Sequence, residues 1–208
     1  MQITWLGHAS FLLETDSGMK IVTDPYGQKI MPHYAPAADL VTVSHEHFDH
    51  ADTDSLPRCG EILRGAKEWE APGLHVQGYA CWHDDVQGKK RGPNTVFVFE
   101  ADGKKIAHLG DLGEPLTPAL REALQDLDLL MLPVGGVYTV DGKAAAGIVE
   151  MLKPRYAVPM HYRLPEHSMQ VLSGPEPFLD ALGKGIAVTK VPVITFTEPE
   201  GVLIPEKR

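Results

Sequence analysis

The chain has 208 residues, 43% hydrophobic and 23% charged, which fits one globular domain and excludes disorder as its main state. Lysine and arginine total 19 against 28 aspartates and glutamates, and the net charge of −9 disfavours nucleic acid, because phosphate backbones select a positive field. Seventeen prolines and 20 glycines imply many turns between short elements, and ten histidines need a reason.

The first half reads as short strands bounded by turn residues. Residues 3–6, 10–15 and 19–23 form an N-terminal meander, with Asp16-Ser17-Gly18 as a turn. Residues 39–44 are a short apolar strand rich in β-branched side chains, and residues 61–63 and 74–78 are weaker ones. Residues 95–100 and 104–108 flank Ala101-Asp102-Gly103 as a hairpin, and residues 129–134 are a buried strand. Helices enter in the second half. Thr117-Pro118 reads as an N-cap with proline at the first helical position. Residues 143–152 carry Ile148, Val149 and Leu152 at helical spacing and stop before Pro154, and residues 176–182 close at Gly183. Residues 156–160 and 188–196 return to strand. No linker divides the chain, so residues 1–208 read as one domain of two sheets with helices outside.

Two cysteines, Cys59 and Cys81, give no disulfide framework. The start, Met1-Gln2-Ile3-Thr4-Trp5, lacks a basic then apolar leader, so the expected compartment is cytoplasmic. The most apolar stretch, residues 127–140, is broken by Asp128, Pro133, Gly135 and Gly136 and is too short to span a membrane.

Ser44-His45-Glu46-His47-Phe48-Asp49-His50 accounts for three of the histidines. It follows a buried strand, so its side chains converge at a strand end. Alternate positions of extended chain point the same way, which lets His45 and His47 reach one metal ion. Asp49 and His50 lie past the bend and can serve a second. Imidazole nitrogens and carboxylate oxygens suit Zn²⁺ and other borderline divalent ions.

H-x-H-x-D-H after a buried strand resembles the signature of the metallo-β-lactamase superfamily. Trp5-Leu6-Gly7-His8-Ala9-Ser10-Phe11, Thr23-Asp24-Pro25, Pro133-Val134-Gly135-Gly136 and Pro159-Met160-His161-Tyr162 are similar to its ascorbate-6-phosphate lactonase-like branch. The resemblance runs from Met1 to about His161. It implies an α/β fold, the four-layer αββα sandwich. It also implies His45, His47 and His83 at one metal site, Asp49, His50 and His161 at a second, and Asp111 bridging them. The implied cofactor is two divalent ions, Zn²⁺ first, with Mn²⁺ or Fe²⁺ also suited to the donors. The implied reaction is hydrolysis of an ester, lactone or phosphoester of a small substrate, an anionic one included. A bridged hydroxide attacks, with Asp49 and Asp111 as the catalytic carboxylates. Mononuclear iron oxygenase or redox chemistry on the same scaffold is the alternative.

Taken alone, His83 reads equally as a surface residue, Asp111 as a turn former and His161 as a core histidine. His8 faces the site in the resembling branch without ligating; it orients a ligand, touches substrate, or is satisfied by backbone. His108 reads as packing or support, while His33 and His75 carry no motif. His167 lies near the expected mouth, as does Arg163. One of Asp84 and Asp85 is a candidate partner for a metal-bound imidazole, or both form a solvated turn. Arg91, in the basic turn Gly88-Lys89-Lys90-Arg91, and Tyr138, after Gly135-Gly136, are candidate substrate contacts with His8 and Arg163. Partners reduce to a small molecule, without nucleic acid or membrane; a homo-oligomer is compatible with the sequence.

Overall fold

The computed structural model describes residues 1–32 and 34–208, so His33 lies outside the described residues. Two-residue alternation builds the first sheet. From β1 (Gln2–Gly7), β2 (Ser10–Glu14), β3 (Lys20–Thr23), β4 (Ala38–Val43) and β5 (Cys59–Arg64), the side chains of Ile3, Trp5, Phe11, Leu13, Ile21 and Leu40 join one apolar cluster. Their neighbours Leu6, Leu12, Val22, Val41 and Val43 join a second, on the opposite face. The order is β1-β2-β3-β4-β5, antiparallel as far as β3 and parallel beyond it.

The second sheet runs β12-β13-β11-β10-β9-β8-β7-β6. Its strands are β6 (Glu68–Ala71), β7 (Leu74–Trp82), β8 (Pro93–Ala101), β9 (Lys104–His108), β10 (Leu129–Pro133), β11 (Tyr156–Met160), β12 (Val188–Val191) and β13 (Gly201–Pro205). Asp102 and Gly103 at the β8–β9 turn have φ of 52° and 68°, the left-handed pair that a two-residue hairpin turn needs. The inner face of the first sheet packs on the second through the larger cluster, which includes Val76, Phe97, Phe99, Leu130 and Leu132. This is the expected α/β sandwich.

Helix α1 (Pro118–Ala123) starts at Thr117, whose side chain accepts from the Leu120 amide at 3.2 Å. Helix α2 (Gly142–Leu152) starts at Asp141, which accepts from the Ala144 amide at 2.8 Å, and packs on α3 (Glu176–Leu182) and β10. The outer face of the first sheet is covered differently. Leu56, Ala35, Ala51 and Cys59 pack there, with a single 3-10 turn, Thr53–Ser55, in place of a long helix. The expected strand at 188–196 is shorter: it stops before Pro192, and Ile194 instead pairs with Ile3 across the two sheets. Strands β6 and β13 had no clear pattern, the first because it is a polar edge strand, Glu-Trp-Glu-Ala.

The chain leaves β1, β4, β7, β9 and β11 into the segments that carry His8, His45 to His50, His83, Asp111 and His161. Strand ends on one rim bring these five segments together, as open sheets do at their carboxyl edges.

Candidate metal centre

Two donor groups meet between the sheets. Ring nitrogens of His45, His47 and His83 lie within 4.8 Å of one another. Donor atoms of Asp49, His50, His161 and His8 form a second set within the same distance. Asp111 stands between them. Its Oδ2 is 3.2 Å from Nε2 of His83 and 3.2 Å from Nε2 of His161, and its Oδ1 is 3.3 Å from Nε2 of His50. The structure therefore brings together all seven residues that the sequence singled out as ligands.

Hydrogen bonds turn the rings toward the centre. His50 donates from Nδ1 to Asp24 Oδ2 at 2.8 Å, leaving Nε2 to face inward. Asp24 also accepts from the Ser44 amide (2.7 Å) and hydroxyl (2.5 Å). The Ser44 hydroxyl is thereby committed as a donor, so Nδ1 of His45, 2.9 Å away, donates to it and Nε2 of His45 points inward. Neither Asp24 nor Ser44 was singled out from the sequence as part of the site. The usable signal was the place of Asp24 at a strand end, like that of every histidine it supports.

Asp111 is held by its backbone. Its amide donates to Asn94 Oδ1 at 3.0 Å, while Asn94 Nδ2 donates to Leu109 O at 2.9 Å and Cys81 Sγ at 3.1 Å. The preceding Gly110 has φ of +53°, and a side chain there would strike Asn94 Oδ1 and Ser44. His108 spans the sheets, donating from Nε2 to Ala9 O at 2.7 Å and accepting the Gly110 amide at Nδ1, 3.2 Å away. It supports the centre and does not enter it.

His8 and His167 form a directional chain. The Met169 amide can only donate, and it donates to Nδ1 of His167 at 2.9 Å. Neutral His167 then carries its proton on Nε2 and donates to Nδ1 of His8 at 2.9 Å. The remaining proton of His8, on Nε2, faces Asp49 Oδ2 at 3.2 Å. Both rings are held neutral: burial, and then the nearby His161, lower His8 well below the ordinary histidine range and bring His167 down to about 4. His8 is fully buried, so the expected substrate contact gives way to a contact with Asp49. His167, expected at the mouth, is buried beneath it.

The electrostatics suit a cation. Burial alone would raise Asp111 and Asp49, yet His161 and His50 hold Asp111 well below the carboxylate range, and the His8 hydrogen bond with the His50 charge does the same for Asp49. Burial lowers His50, but the carboxylates of Asp111 and Asp24 outweigh it and raise His50 well above its ordinary value. The carboxylates that favour a proton there also favour a metal ion competing for the same nitrogen. Burial pushes His45 down to about 3, so its nitrogen keeps a free lone pair. His45 Nε2, His161 Nε2 and Asp111 Oδ1 are buried with no hydrogen-bond partner among the described residues. Buried polar atoms are rarely left so, and imidazole with carboxylate is a fitting donor set for divalent ions.

A cavity of about 400 Å³ opens over the centre, lined by His47, Phe48, Asp49, His83, Arg91, Asp111, Tyr138, His161 and Met169. Arg91 stacks on the Tyr138 ring at 4.5 Å, so two of the candidate substrate contacts share this wall. Arg163 is exposed and does not line it. Asp84 binds no imidazole among the described residues. It accepts four backbone amides, from Val86, Gly88, Lys90 and Arg91, at 2.8 to 2.9 Å, and so folds the loop that presents Arg91. His75 lies apart, against Glu68 at 2.8 Å. Neither cysteine is bridged, and burial pushes the Cys81 thiol up to about 12.

Residues 2–161 match the family model described as the β-lactamase superfamily domain, which, with this sandwich and donor set, defines the class of the protein. A UPF0173 metal-dependent hydrolase of Carboxydothermus hydrogenoformans is 33% identical over 193 residues, covering 78% of this chain and 84% of the relative. A UPF0173 protein of Pyrococcus furiosus is 34% identical over 186 residues, covering 78% and 83%. The crystal structure of a candidate Zn-dependent hydrolase of the metallo-β-lactamase superfamily from Thermotoga maritima superposes with a TM-score of 0.80 at 33% identity, covering 98% of this chain and 97% of that one. The chain belongs to the metallo-β-lactamase superfamily and, within it, to the UPF0173 metal-dependent hydrolases.

Proposed function

We propose that this protein hydrolyses an ester, lactone or phosphoester of a small substrate at a centre of two divalent ions. The observation that carries the reading is the position of Asp111, with one carboxylate in reach of histidines from both donor groups. His45, His47 and His83 would hold one ion, Asp49, His50 and His161 the other, and Asp111 both. Zn²⁺ suits these donors, and Mn²⁺ and Fe²⁺ suit them as well. Bound there, the ions supply a water with its pKa lowered to about 7 and a Lewis acid for the carbonyl or phosphoryl oxygen.

The chain's own residues do the rest. Asp24 and Ser44 fix the His50 and His45 rings, so the donors are in place before substrate arrives. The His8 N–H steadies Asp49 through Oδ2, leaving Oδ1 for ligation and for orienting the attacking water. Arg91 and Tyr138 wall the cavity where substrate enters. The test is Asp111→Ala. Loss of one metal equivalent together with turnover supports the bridging role; retention of both refutes it.

A further inference from the structure

A second cavity of about 530 Å³ adjoins the first, sharing His47 and Arg91 as a common wall. Its lining adds Arg64, from the end of β5, with Asn94 and Thr95 from the start of β8. Two arginines line this cavity, with Glu46 as its one acidic residue, in a chain whose net charge is −9. The side chain of Asn94 is committed to Asp111, Leu109 and Cys81, so it offers nothing further there. Arg64 is different. Its Nε meets Glu46 Oε1 at 3.5 Å, a carboxylate that is mostly in solvent. Its Nη1 is buried and has no hydrogen-bond partner among the described residues. A guanidinium donates through five N–H groups in a planar fork that fits the two oxygens of a carboxylate or phosphate. Nη1 is not committed to any neighbour, and the Arg64 side chain is 37% exposed, so the remainder of the fork is open to an oxyanion.

We propose that Arg64 and Arg91 form an oxyanion subsite beside the metal centre, one that holds a carboxylate or phosphate group of the substrate away from the scissile bond. The proposal rests on the hydrolase reading and narrows its substrate to a small molecule with an anionic group separate from the bond cleaved. Arg91, shared by both cavities, is the hinge between binding and chemistry. Arg64 had no role in the sequence reading, because a lone arginine at the end of a strand carries no motif.

The experiment is a calorimetric titration with benzoate and phenylphosphonate, and with neutral benzamide as control. It is run on the metal-loaded protein and after EDTA treatment. Arg64→Gln is expected to weaken both anions about tenfold, the loss of one charge-assisted hydrogen bond, and Arg64→Lys to recover part of that affinity. Benzamide is expected to bind neither form, and the Arg64-dependent affinity is expected to survive EDTA. Equal anion affinity in wild type and Arg64→Gln overturns the subsite. So does binding that vanishes with the metal whatever residue stands at 64. The titration reads no turnover, so a protein that failed every hydrolysis assay would still answer it.

Discussion

At the scale of residues, the centre depends on which nitrogen of each ring carries a proton. Three of those choices are made by groups outside the proposed ligand set: Asp24, Ser44 and the backbone amide of Met169. His167→Ala removes the partner that keeps His8 donating to Asp49. It is expected to weaken metal binding about 10- to 100-fold while the circular dichroism spectrum stays native. Unchanged affinity would reduce the His167–His8 pair to packing. The same residue gives a pH test. Folding lowers His167 from its ordinary 6.5 to about 4, so between those values the unfolded chain binds more protons and its stability rises with pH. That contribution is complete above about 6.5 and fades as pH falls toward 4. His167→Gln should therefore flatten the acid limb of metal-free protein in denaturation curves; an unaltered slope would contradict it. The ligating histidines were legible in the sequence because H-x-H-x-D-H packs its donors into six residues. The supporting roles of Asp24 and Ser44 were not, because Asp24 lies 20 positions from Ser44 and 26 from His50 and only folding shows the pairing; Arg64 carries no motif at all.

At the scale of elements, each site segment is the overrun of a strand. His8, His83, Asp111 and His161 lie within three residues of the strand that precedes them, which fixes where each side chain lands, and glycine is used where backbone runs close. A side chain at Gly135, for instance, would strike the His161 carbonyl oxygen. Asn94, at the start of β8, ties three strand ends through Asp111, Leu109 and Cys81. Asn94→Ala leaves the Asp111 amide and the Leu109 carbonyl unpaired. It should cost about 1–3 kcal/mol in chemical denaturation and loosen metal binding as well. A stable variant with normal metal content would show that Asp111 is held without it. Central strands were legible as short apolar runs bounded by turn residues, β4 and β10 among them. Edge strand β6 was not, because its Glu-Trp-Glu-Ala sequence needs the pairing with β7 to become extended. Pro192 and the pairing of Ile194 with Ile3 end β12 early, a tertiary effect that propensity does not carry.

At the scale of the whole molecule, buried carboxylates and histidines from both sheets face one another across the core. Without ions their mutual burial costs stability, and with ions it is compensated. Protein at free metal 100 times its dissociation constant gains about 2.7 kcal/mol, or roughly 5–10 °C for a domain of this length. Chelation is expected to lower Tm by that order in calorimetry; an equal Tm with and without chelator would argue against a shared core site. No helix among the described residues is long and apolar enough to cross a membrane. The centre instead opens to solvent through the cavity between Tyr138, Arg91 and Phe48. The most direct test of the two-ion hydrolase is metal analysis of freshly purified protein, run beside assays of lactone and phosphodiester turnover and of oxygen uptake. The account requires two divalent ions per chain and hydrolysis without oxygen uptake; one iron per chain with oxygen consumed would contradict it.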